Sequence, residues 1–104
     1  MKSLLLIPLL VALGVAVPAT AKTSGAYAGE ALAAGAKVTI AQAQSVALKA
    51  RPGKVTDREL EKEAGGSGLR YSFDIKTHGK TYEVGVDAQT GQVLENKAEG
   101  KNPD

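Results

Sequence analysis

The sequence predicts an α+β domain in which one N-terminal helix packs on a small antiparallel sheet of three to four strands. Three features carry this reading. Residues 69–94, LRYSFDIKTHGKTYEVGVDAQTGQVL, hold three short runs with an apolar residue at every second position, separated by two turn signals. Residues 40–50 repeat apolar side chains at helical spacing and are followed by Pro52 and Gly53, which stop a helix. The charged stretch between them, 54–63, suits the edge of a sheet.

The 104 residues suffice for one ordinary domain. Residues 1–21 read as an export signal. Lys2 supplies the positive start, an apolar run fills 4–17, and Ala19-Thr20-Ala21 is a small-residue cleavage site. The run contains Pro8 and Gly14 and is short for a span of about 20 residues. No stop-transfer segment follows, so no stable membrane insertion is expected after cleavage, and the predicted destination is the periplasm or the medium. Cleavage after Ala21 leaves 104 − 21 = 83 residues, with 12 basic side chains against 11 acidic ones once Lys2 is removed from the 13. Signs are interspersed and form no basic patch, which argues against a nucleic-acid partner. There is no cysteine. Stability must therefore come from the core, a partner or self-association, without disulfide staples.

Residues 22–37, KTSGAYAGEALAAGAK, lack a sustained period and large apolar content, and are expected to form a flexible leader. The domain is expected over 38–96, with a charged tail at 97–104. The helix opens at Thr39, an N-cap with Gln42 three residues on, which is a capping-box arrangement. Val38 is placed as a hydrophobic staple. Ile40, Ala43, Val46, Ala47 and Ala50 share one face, and its alanines permit close approach to a sheet.

Residues 54–63, KVTDRELEKE, are ambiguous. Their propensity is helical, and Thr56 with Glu59 imitates a second capping box. A helix here would bury only Leu60 and Ala64, and helices in proteins draw most of their stability from an apolar face. The edge strand is the preferred reading. Val55 and Leu60 have opposite parity, so a bulge or bend is expected between them.

Residues 64–68, AGGSG, make a flexible turn. In the next strand Leu69, Tyr71, Phe73 and Ile75 share one face, and Arg70, Ser72, Asp74 and Lys76 the other. His78-Gly79 sits where a tight hairpin needs positive φ. Tyr82, Val84 and Val86 form the apolar face of the following strand. Asp87 can accept from backbone amides ahead of it, and Gly91 can turn left-handed. Val93, with Leu94, makes a last short strand. The helix stripe is expected across Tyr71, Phe73, Ile75, Tyr82, Val84, Val86 and Val93.

These residues resemble the PepSY domain family. The resemblance runs from the helix entry Ile40 to Ala43, through Pro52-Gly53-Lys54-Val55 and the charged run with Leu60, to Y-x-F-x-I at 71–75 and G-K-x-Y-E-V-x-V-D-A-x-T-G-x-V at 79–93. It implies one helix on an antiparallel sheet and supports the edge-strand reading. Such domains occur in propeptides of secreted metallopeptidases, where an inhibitory or folding role is proposed, and in small exported proteins. No protease follows here, so the resemblance implies action in trans. It supplies no catalytic residues.

The search for chemistry gives little. His78 is the single histidine, so a structural zinc site lacks ligands and an exposed turn residue is the plainer reading. A triad would need His78 with Ser67 or Ser72 and Asp74 or Asp87, with no oxyanion-hole signature nearby. Asp87 and Thr90 fall short of a calcium loop, and no phosphate-cradling glycine loop is present. The sequence thus predicts a non-enzymatic exported protein without cofactor that binds a protein partner, with a peptidase it modulates as the expected class. The alternative is a small-ligand or metal-ion binder of the cell envelope. The candidate partner-binding edge is Arg58, Glu59, Glu61 and Glu63, used by strand addition or by docking on the polar sheet face.

Overall fold

A computed structural model describes residues 26–100; the expected export signal at 1–21 lies outside them. A 3₁₀ helix, Glu30–Gly35, precedes α1 (Ile40–Ala50) and four strands: β1 (Lys54–Lys62), β2 (Leu69–Thr77), β3 (Lys80–Asp87) and β4 (Val93–Ala98). The strands form one antiparallel sheet in the order β1-β2-β3-β4. The expected α+β class is the observed one, with α1 on one face of the sheet.

Local chemistry explains each element. The Thr39 hydroxyl accepts the Gln42 amide at 3.1 Å, and the Gln42 side chain accepts the Thr39 amide at 2.9 Å. Two otherwise orphaned helix donors are thereby satisfied. Ile40, Ala43 and Ala47 point into a core of Leu60, Tyr71, Phe73, Ile75, Val84, Val86 and Ala88. Fully burying a side chain of the size of Phe73 or Ile75 contributes about 1.5–3 kcal/mol. Tyr71 buries its ring in that core and spends its hydroxyl on the Val38 carbonyl at 2.7 Å. Burial pushes its phenol up to about 12.

Residues 54–62 form a strand, so tertiary pairing overrides helical propensity. A register shift between Val55 and Asp57 brings Val55 and Leu60 to the same face, as their opposite parity requires. His78 and Gly79 take φ of 53° and 78° in the β2–β3 turn. The two positive values suit the right-handed twist of a tight hairpin.

Three expectations differ from the structure. The described part of the leader is built onto the domain. Ala28 bridges to Glu59 in parallel, and its carbonyl accepts the Leu60 amide at 2.8 Å. Tyr27, Leu32, Ala33 and Ala36 pack against the core. Gly29 has φ 83°, and a Cβ there would overlap the Leu60 carbonyl. Small residues, which look linker-like by composition, are what lets the segment lie this close. Secondly, β4 runs on to Ala98, and the Glu99 amide donates to the Thr81 carbonyl at 2.9 Å, so the tail starts later than expected. Backbone pairing with β3 sustains the strand through the polar run Glu95-Asn96-Lys97. Thirdly, Val93 is 37% exposed. A register shift at Gly85/Val86 disturbs the alternation of β4, and Leu94 approaches Gly66 in the β1–β2 loop.

Candidate functional site: the uncovered sheet face

Strand alternation sends every second side chain away from α1. Registers then set these side chains in rows across the sheet. One row reads Asp57, Asp74, Glu83, Lys97; the next reads Glu59, Ser72, Gly85, Glu95; a third reads Glu61, Arg70, Asp87. Three carboxylates therefore stand directly opposite one another in the first row. Like charges so placed are destabilising. On the helix side lie Lys49, on α1, and Arg58 and Lys62, on the Leu60 parity of β1. Arg51 stacks its guanidinium 3.7 Å above the Tyr82 ring on that side. The segregation is partial, because Lys54 and Lys76, opposite each other across β1 and β2, share the open face with the carboxylates.

The electrostatics record the crowding. Burial, then a hydrogen bond with Glu99 and the charges of Glu99, Asp57 and Glu83, push the Asp74 carboxyl up to about 6. Glu83 is also raised, by burial first and then by Glu95 and Glu99. Glu59 is raised by a carboxyl–carboxyl hydrogen bond with Glu61 and by the Glu61 charge.

One end of this face is covered by the β1–β2 loop, and two buried charges hold it there. Asp87 is 2% exposed. Its carboxylate accepts the Ser67 amide and hydroxyl, both at 2.7 Å, and the Gln89 amide at 2.8 Å. Burial alone pushes its carboxyl up; the bonds from Gln89, Ser67 and Thr90 outweigh it and leave the value lowered. Arg70, 7% exposed, donates to Glu95 at 3.2 Å and to the Ala64 carbonyl at 3.1 Å. Its Nε is buried without a hydrogen-bond partner, which costs about 1–3 kcal/mol. The loop read as flexible is thus tied to both strands beneath it.

The four residues of the predicted edge do not form one surface. Arg58 turns to the helix side, 5.9 Å from the Tyr27 ring and 3.5 Å from the Gln44 side chain. Glu59, Glu61 and Glu63 belong to the opposite face. Glu61 accepts the Ser72 hydroxyl at 2.7 Å, and Glu63 lies 3.8 Å from Arg70. The backbone edge itself is occupied at Leu60 by Ala28. Sequence reasoning passed over Asp74 and Glu83 as a pair. They were readable, because positions equidistant from the His78-Gly79 turn oppose each other.

Other chemistry is not assembled here. His78 is exposed at the hairpin tip, while Ser67 and Ser72 bond Asp87 and Glu61. Among the described residues no group of three or more His, Cys, Asp or Glu is arranged to hold a metal ion. No described helix is long and apolar enough to cross a membrane.

The profile of the family described as "Peptidase propeptide and YPEB domain" matches residues 37–97. The searches of curated proteins and of solved structures gave no match. The matched segment takes in α1 and nearly all of the four strands, more than half of the chain, and the chain belongs to the PepSY family.

Proposed function

We propose that this chain is an exported, non-enzymatic PepSY protein that binds a partner protein on its acidic sheet face and modulates a peptidase in trans. The observation that carries the reading is the Asp57–Asp74–Glu83 row. A stable scaffold has no use for three opposed carboxylates. Basic side chains of a partner relieve their repulsion, so the face is better satisfied bound than free. The family's tie to peptidase propeptides supplies the class of partner. The small-ligand or metal-ion alternative has no comparable described cluster behind it.

The test adds the purified chain to exported peptidases of the producing cell. Dose-dependent inhibition is expected, weakening with added salt and in the Glu83→Gln variant. Hydrolysis unchanged at every dose would remove the peptidase reading.

A further inference from the structure

Open sheet edges invite pairing unless they are blunted. The β1 edge is blunted by the Ala28 bridge to Glu59 and by the register shift between Val55 and Asp57. The β4 edge carries no such cover among the described residues. The Glu99 amide bonds inward to Thr81 at 2.9 Å. Antiparallel alternation then turns the Lys97 and Glu95 backbones inward as well. The N–H and C=O groups of Asn96 and Ala98 point away from β3, towards open space.

We infer that β4 pairs antiparallel with β4 of a second copy, about a two-fold axis at Asn96, to join two sheets into one. The charges on β4 select this register. With Asn96 opposite itself, Glu95 of each copy faces Lys97 of the other, and both pairs lie on the open face. A slip of two residues one way sets Lys97 against Lys97 and Glu95 against Glu99. The opposite slip sets Glu95 against Glu95. Of these three registers only the centred one is free of like-charge opposition, and a two-fold contact must be self-complementary in this way. Lys97 is available for the exchange: its side chain is 73% exposed, and it pairs with Glu95 of its own strand at 3.6 Å. The inference is independent of the partner proposed above. It places the two acidic faces side by side on one continuous sheet.

Sedimentation velocity over a concentration series tests it, on the chain as recovered from expressing cells. A two-chain species should grow with concentration. Ala98→Pro removes an outward N–H and leaves the Glu99–Thr81 bond in place; edge strands tolerate proline with its nitrogen facing solvent. Lys97→Glu turns both cross-copy pairs repulsive. Each variant should weaken association on the order of tenfold or more, with an unchanged circular-dichroism spectrum. Added salt should restore part of the Lys97→Glu loss. A single-chain species at every concentration, or a two-chain species indifferent to both substitutions, would overturn the inference.

Discussion

Replacing Asp74 with Asn should stabilise the protein, and the gain should depend on pH. Asp74 stands between Asp57 and Glu83 in the row of opposed carboxylates. Its carboxyl is raised from 3.8 to about 6, by burial first and by Glu99, Asp57 and Glu83 after it. The folded state therefore holds this proton more tightly than the unfolded chain. Protonation favours folding, and that contribution is complete below the unfolded value and lost as pH rises through the folded one. At neutral pH the native domain carries an ion that its surroundings disfavour. A shift of about 2 units sets a ceiling near ~3 kcal/mol. Solvent at a half-buried site lowers this to about 1 kcal/mol. Asn keeps the shape and removes the charge, so the melting temperature should rise by about 4–8 °C at roughly pH 7.5. The gain should shrink as pH falls through 6 and nearly vanish at about pH 3.5, where Asp74 is itself neutral. Paired thermal melts by circular dichroism at the two pH values decide the matter. A lower melting point at neutral pH, or an equal offset at both, would refute the reasoning.

The remaining predictions use the same assays. Phe73→Asp should abolish the melting transition, because Phe73 is 0% exposed and an unpaired charge there has no partner. Asp87→Ala should cost about 2–4 kcal/mol by releasing the Ser67 and Gln89 donors together, read as the denaturation midpoint. Because the Asp87 value is lowered, its stabilisation is present above the usual carboxylate range and lost as pH falls below it. Asp87→Ala should therefore flatten the acid limb of the stability curve. Gly29→Val, at φ 83° and against the Leu60 carbonyl, should lift the leader from β1. The Leu60 amide would then exchange faster in hydrogen-exchange mass spectrometry.

Much of this structure was legible in the sequence, for local reasons. The capping box at Thr39 and Gln42, the stop at Pro52-Gly53, and the His78-Gly79 turn each carry their geometry in two or three residues. Alternation in 69–86 named the buried face correctly. The misreadings depend on contacts distant in sequence. Nothing within 26–36 announces that Ala28 will meet Glu59, because a glycine or alanine that allows close approach looks the same as one in a linker. Val93 keeps the predicted side, opposite Val86, because the shifted pair at Gly85/Val86 skips Leu94; its exposure comes with its place on an edge strand. The acidic face was hidden in another way: Asp57, Asp74 and Glu83 are dispersed along the chain, and only pairing gathers them. For the same reason the expected binding edge mixed Arg58 with Glu59 and Glu61, neighbours in sequence that point to opposite sides.

A stabilising Asp74→Asn should also weaken partner binding, the opposed signs expected where repulsion is retained for function. Zero-length carbodiimide coupling to an inhibited exported peptidase tests whether the partner docks on the acidic face. This chemistry joins a carboxylate to an amine only where the two touch. Mass spectrometry should locate the joins at Glu59, Asp74 or Glu83, to lysines of the peptidase. Joins confined to Glu30 on the 3₁₀ helix, with the sheet carboxylates unmodified, would place the partner elsewhere and contradict the account.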